Sequence, residues 1–375
     1  MNLTQLRTPC VLIDSTRVER NLARLQSAAT SRGLRLRPHA KTHKSVTLAM
    51  RQLATGAVGI CCAKLGEAEV FAAAGIEDIR LPYPLNPVNA DRVIELLDRT
   101  RLSFIVDHPD VALGWSDAMR RAERGVDILV KVDVGFHRCG IDPERADAVD
   151  VVARIADLPG LRFKGLLSHA GHGYGATSEE GVRAIAEAEA RTMNGLAEAL
   201  RVKGLELAEI SVGATPTLRY SLEQDGLTEL RPGNYIYFDR TQVALGAADW
   251  DDCALTVLAR VVTKPAADRI ILDSGSKTLT NDLARGFAPA PGHGTVLRSI
   301  SGVQAPDESL TIERLSEEHA NVRVMAGAQA LEPGDLVRIV PNHSCVVSNL
   351  VDAAWLVDGE RAVERLEISA RGRIT

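Results

Sequence analysis

The chain has 375 residues, 45% of them hydrophobic and 25% charged, with a formal net charge of -5 and a pI near 6.0. That length exceeds what one core usually organises, so two domains are expected, and the mild acidity argues against nucleic acid or an anionic membrane surface as the main partner. No stretch approaches the ~18 uninterrupted apolar residues of a membrane span, residues 1–9 lack the apolar core of a signal peptide, and six scattered cysteines make no secreted-type framework, so a reducing cytoplasm is expected.

An opening strand at 10–13 precedes a helix that starts at Asp14 or Ser15, both good N-caps, and runs to about Gly33. Eight strands are then expected at 34–40, 58–63, 79–83, 102–106, 126–132, 163–168, 209–212 and 230–237. Helical spacing separates most of them, at 45–55, 64–74, 87–99, 109–124, 143–156 and 178–203. Pro87, Pro109 and Pro143 sit near helix starts, where a missing N–H costs little. Strands alternating with helices imply parallel pairing with right-handed crossovers. The expected fold is therefore α/β, a (β/α)8 TIM-type barrel. An open doubly wound sheet is the alternative, but no G-x-G-x-x-G follows an early strand.

The rhythm changes near Trp250. Strands follow at 255–262, 269–273, 295–300, 310–315, 322–325, 336–340, 353–357 and 362–368, with no helix expected between them. This predicts an antiparallel β domain at 249–375 after a barrel at 1–248, with the first strand free to join the β domain.

Active sites of such barrels lie at the C-terminal ends of the strands. After the first strand, alternation puts Arg35, Arg37, His39 and Lys41 on one face, with Lys41 nearest the mouth. A lysine there can form a Schiff base with an aldehyde cofactor. Most lysines are simply solvated, and Lys44 and Lys64 compete locally. The turns Gly213-Ala214-Thr215-Pro216-Thr217 and Arg231-Pro232-Gly233-Asn234-Tyr235 follow the seventh and eighth barrel strands, where barrels often bind phosphate. Arg138 follows the fifth strand and can stack on or hydrogen-bond a ring cofactor. His169, His172 and Tyr174 follow the sixth and can handle protons. In the β domain, His343 and Cys345 stand two apart on a segment read as extended, so both side chains point the same way. Both are zinc ligands, although two ligands alone more often describe a buried Cys beside a surface His.

Together these residues resemble the fold-type III pyridoxal 5'-phosphate (PLP) enzymes, the alanine racemase-like group, and within it the D-serine dehydratase and D-threonine aldolase branch. The resemblance rests on 37–44, 133–140, 168–171, 211–217, 231–239, 271–277 and 341–345, and covers nearly the whole chain. It implies that Lys41 carries PLP and that Gly213, Ala214, Thr215, Gly233 and Asn234 hold its phosphate. It implies that Arg138, His169, Tyr174 and Tyr237 surround ring and substrate, and that His343 and Cys345 hold a divalent metal, zinc before manganese or magnesium. It also implies a homodimer acting on small D-β-hydroxy-α-amino acids. The His-x-Cys pair resembles the dehydratases, which release a keto acid and ammonia. The aldolases carry Asp at the second position and cleave Cα–Cβ instead. A racemase is disfavoured, because the chain has no Tyr after Tyr237 to act as the opposite base. A non-catalytic PLP-handling protein is disfavoured by the β domain, since proteins of that kind look like the barrel alone. Tyr83, Arg219, Tyr220 and Arg240 are candidates for shaping the pocket or gripping a second carboxylate.

Overall fold

The computed structural model describes residues 1–287, 291–302, 305–328 and 331–375. Eight of its strands are parallel: β2 (Arg35–Leu36), β3 (Ile60–Cys61), β4 (Asp78–Pro84), β5 (Arg101–Val106), β6 (Val126–Lys131), β7 (Leu161–Leu167), β8 (Glu209–Val212) and β9 (Glu229–Leu230). β1 (Cys10–Asp14) lies elsewhere. The parallel order is β2-β9-β8-β7-β6-β5-β4-β3. Its two ends meet through backbone bonds from Val58 N–H to Leu36 C=O (2.9 Å) and from Cys61 N–H to Pro38 C=O (2.8 Å), which close the barrel. Strands covered on both faces read as continuous apolar runs; Val126–Lys131 (VDILVK) is one, buried at five of six positions. Helices Ser15–Ser31, Val46–Thr55, Leu65–Ala73, Ala90–Leu97, Pro109–Arg121, Ala148–Ala156 and Glu179–Val202 pack outside.

Four expectations for the barrel shift. The first, second and eighth strands are two residues each, not seven, six and eight. After Leu36 the chain turns at Ala40–Thr42, and after Leu230 it turns at Asn234–Ile236. Pro232 cannot donate to a ladder, and Phe238 takes a positive φ of 50°, so neither extends a strand. The sixth helix starts at Ala148 rather than Pro143, because Asp142 and the Arg145–Asp147 pair fold the intervening residues into turns.

The second sheet contains β10 (Leu255–Ala266), β11 (Arg269–Leu272), β12 (Thr295–Val296), β13 (Leu310–Leu315), β14 (Ala320–Val324), β15 (Leu336–Val340), β16 (Ala353–Asp358) and β17 (Arg361–Glu367). Its order is β13-β14-β11-β10-β1-β16-β17, with β15 beside β10 and β12 beside β15. β1 runs antiparallel to β10 and parallel to β16, so the sheet is mixed rather than purely antiparallel. Two short helices, Ser276–Leu279 and Ser344–Leu350, interrupt the expected run of strands.

The barrel interior beneath its mouth is charged. Glu229, fully buried, accepts from Arg37 Nε (2.8 Å), Arg80 Nη1 (2.6 Å) and Ser211 Oγ (2.7 Å). Its burial alone would raise the carboxyl pKa, but Arg80 and Arg37 outweigh that and hold it near about 2. Removing one partner of such a network strands the others without water. Glu229→Gln should therefore lower unfolding free energy by about 3–5 kcal/mol in a urea titration. Because the folded pKa is depressed, this stabilisation is complete above an ordinary glutamate pKa of ~4.3 and fades as pH falls towards about 2. A Glu229→Gln variant with the parent's acid stability profile would contradict it.

Candidate active site

At the C-terminal ends of the barrel strands opens a cavity of about 790 Å³. Lys41, Arg138, His169, Tyr174, Gly213, Ala214, Thr215, Gly233, Asn234, His343 and Cys345 all line it. Tyr237 does not. It is fully buried below, and its carbonyl accepts from Ala254 N–H (2.6 Å). Of the four pocket-shaping candidates, Tyr83 alone lines the cavity. Arg240 spends its guanidinium on Asn342 and the carbonyls of Pro291, Gly292 and Gly294. Arg219 and Tyr220 both contact Glu179.

The chain does not stay extended from Arg35 to Lys41. Arg37 turns down to Glu229 and Asp78, whereas His39 caps the turn Ala40–Thr42 and Lys41 projects from it. Lys41 Nζ has no hydrogen-bond or ion-pair partner among the described residues, and the residue lines the cavity. Its local competitors are differently placed. Lys44 pairs with Glu67 (3.2 Å) and donates to Asn349 Oδ1 (2.8 Å), and Lys64 sits 4.1 Å above the Tyr83 ring. Surrounding protein desolvates Lys41 and lowers its pKa, against an opposing pull from Cys345.

The two turns opposite form a cradle. Gly213 has φ +153°, and a Cβ there would stand 2.7 Å from Arg231 N. At Gly233 a Cβ would stand 2.8 Å from Thr42 Oγ1, so only glycine lets this turn approach the Lys41 segment. Asn234 Oδ1 is buried without a hydrogen-bond partner among the described residues, and Thr215 Oγ1 is buried with Tyr174 as its neighbour. An unspent polar group and glycine turns beside a free lysine amine suit a phosphate-bearing aldehyde cofactor.

His169 Nδ1 lies 2.7 Å from the Gly213 carbonyl, which only accepts, so Nδ1 carries the proton and Nε2 is left free. Burial first, then the charge of Lys41, holds its pKa well below the ordinary histidine value, and the ring is neutral. Phe136 meets His169 edge-on at 5.8 Å. Arg138 stands 5.1 Å over the Phe136 ring, on a loop folded by Asp133, which accepts from Gly135 N and His137 N (3.0 Å each). Burial, then the charges of Cys345 and Asp239, pushes the Tyr174 phenol far up, so it stays protonated.

His343 and Cys345 meet, although not on an extended segment. His343 caps the helix Ser344–Leu350, and Cys345 lies in its first turn. Asp282 Oδ2 accepts from His343 Nδ1 (2.6 Å), which leaves Nε2 for Cys345 or a metal. Burial would lower the His343 pKa, but the hydrogen bond and charge of Cys345 outweigh it and push it up to about 10. Burial would likewise raise Cys345, but His343 outweighs it and holds the thiol below its ordinary value. A thiolate beside an imidazole is the donor set a soft divalent ion takes. Among the described residues no group of three or more His, Cys, Asp or Glu converges as a metal site. Sequence reasoning missed Asp282 and Asp239. Both act over distances in sequence that no local motif reveals.

Comparison with known proteins agrees with this geometry. The chain matches the family described as alanine racemase, N-terminal domain, over residues 13–241, and a second family named for serine dehydratases over 254–357. It is 35% identical to D-threonine aldolase of Arthrobacter sp, covering 99% of this chain and 94% of that one. It is 34% identical to D-threo-3-hydroxyaspartate dehydratase of Delftia sp., covering 97% and 98%. A solved structure of a cysteine-to-alanine variant of D-threo-3-hydroxyaspartate dehydratase in its metal-free form superposes with a TM-score of 0.91 at 32% identity, covering 98% of each chain. Full-length likeness, a barrel mouth with a free lysine and a second sheet that supplies a His-Cys pair lead to one assignment: this chain belongs to the alanine racemase N-terminal domain family, in the branch that contains D-serine dehydratases and D-threonine aldolases.

Proposed function

We propose that this protein is a PLP- and divalent-metal-dependent lyase that dehydrates a small D-β-hydroxy-α-amino acid to a keto acid and ammonia. The observation that carries the reading is that one cavity holds both Lys41, free and facing the glycine turns, and the His343–Cys345 pair. When bound, PLP supplies an electron sink for charge at Cα, and the metal a Lewis acid for the β-hydroxyl.

The chain's own residues do the rest. Lys41 Nζ is the attachment point for the cofactor aldehyde and, once released, the base for the Cα proton. Gly213, Ala214, Thr215, Gly233 and Asn234 hold the phosphate. Neutral His169 offers an acceptor at Nε2, and Tyr174 offers a proton at its hydroxyl. Arg138 offers a cation to ring or carboxylate. His343 Nε2 and Cys345 Sγ bind the metal, with zinc the choice their softness favours over manganese or magnesium. Cys10, Cys61, Cys62, Cys139 and Cys345 form no disulfide among the described residues, which fits a reducing cytoplasm, and a homodimer is the assembly that the family resemblance implies.

Retro-aldol cleavage is the second reading. Near-equal identity to an aldolase and to a dehydratase keeps it in play, and His169 could take the hydroxyl proton it requires.

Purified protein with PLP and Zn²⁺ or Mn²⁺ should convert D-serine, D-threonine or D-threo-3-hydroxyaspartate to keto acid with equimolar ammonia. Glycine or glyoxylate with an aldehyde would establish the aldolase instead. Lys41→Ala should abolish the visible absorbance of the lysine-linked cofactor and lower turnover by at least ~10²–10⁴-fold; turnover at the parent's rate would remove Lys41 from the mechanism. His343→Ala should lose the metal and the activity together while keeping that absorbance. Full activity in a metal-free His343→Ala protein would sink the Lewis-acid role.

A further inference from the structure

We infer that Asp282 is a positioning residue that fixes the tautomer and ring plane of His343 and thereby sets metal affinity. The inference rests on the reading of His343 and Cys345 as the metal pair.

A carboxylate only accepts hydrogen bonds, so the 2.6 Å contact between Asp282 Oδ2 and His343 Nδ1 puts a proton on Nδ1. Nε2 is then the atom turned towards Cys345 and the cavity. Metal-bound histidines almost always donate their second ring N–H in this way, which orients the ring and makes the ligating nitrogen a better donor.

Asp282 is itself held by three further features. Its backbone N–H donates to Thr280 Oγ1 (2.8 Å), and its carbonyl accepts from Asn342 Nδ2 (2.9 Å). Asn342 is buried and also takes Arg240 Nη1 on its oxygen (3.1 Å), so the clamp is anchored in the core. Thr280 adopts φ +68° and ψ 163°. A β-branched residue pays heavily for a positive φ, and such strain persists only where surrounding structure imposes it. The loop is thus bent at a cost, and the bend delivers the Asp282 carboxylate to His343. Among the described residues the only hydrogen-bond and ion-pair partner of that carboxylate is His343. The side chain is 44% exposed, so its truncation should not unfold the protein.

The test is Zn²⁺ affinity of the PLP-loaded protein, measured by competition with a chromophoric chelator, for the parent, Asp282→Asn, Asp282→Ala and His343→Ala. Asparagine keeps the size but can present a donor to Nδ1, so both Asp282 variants should bind Zn²⁺ about 10–100-fold more weakly. The cofactor absorbance and thermal midpoint should match the parent, which a general structural role would not allow. Asp282 variants within twofold of the parent, while His343→Ala loses Zn²⁺, would overturn the role of Asp282 and leave the metal pair intact. Parent-like Zn²⁺ binding by His343→Ala would overturn the pair itself, and the inference with it.

Discussion

The Asp239 carboxylate is the joint on which the site depends. It is fully buried and accepts four hydrogen bonds: from Asn234 Nδ2 (2.6 Å), Gln242 N (3.1 Å), Ser344 N (2.9 Å) and Ser344 Oγ (3.1 Å). Asn234 belongs to the glycine turn after β9. Ser344 begins the helix that carries Cys345 in the second sheet's domain. A buried carboxylate must spend its lone pairs, and here it spends them on both halves of the cavity at once. A negative charge at the start of that helix is also where the helix dipole favours it. Two further contacts span the same gap. Cys345 Sγ lies 3.3 Å from Thr42 Oγ1, and Lys44, with Glu67 on the barrel side, donates to Asn349. The Lys41 turn and the helix that carries Cys345 are therefore neighbours by construction.

The charges in the cavity follow a division of labour. Its carboxylates are committed to protein partners: Glu67 to Lys44, Asp239 to backbone and amide donors, and Asp282 to His343. Lys41, Lys64, Arg138 and Arg285 line it without a carboxylate partner among the described residues. The space left between them is positive, which suits a phosphate and at least one substrate carboxylate. The chain carries a net charge of -5, so this field is local and owes nothing to overall composition.

Much of this was legible in sequence because period and punctuation are local. Alternating apolar runs and helical spacing, broken by turns, gave the barrel, and strand ends pointed to Lys41 and the glycine turns. What failed were judgements that needed the third dimension. Residues 341–345 read as extended because they follow an apolar strand; instead Ser344 is drawn into a helix whose first N–H groups need a buried acceptor, and Asp239, 105 positions away, provides it. His343 and Cys345 still converge, since the cap and the first turn of a helix lie close together. Tyr237 ends an expected strand, whereas in the structure it follows the turn Asn234–Ile236 and is fully buried outside the cavity lining. Asp282 had no local signal, because its meaning lies in a histidine 61 positions later.

The placement of proton donors and acceptors bears on which bond breaks. Elimination needs the β-oxygen to leave, helped by a cation or a proton delivered to it. Retro-aldol cleavage needs the opposite, a base to take that oxygen's proton. Burial, then the charges of Cys345 and Asp239, hold Tyr174 protonated on the cavity wall. His169, which gives its Nδ1 proton to the Gly213 carbonyl, is a neutral base on the same wall. A protonated Tyr174 can deliver the proton that a departing β-oxygen needs, and that favours elimination, whereas cleavage would have to draw on His169 alone.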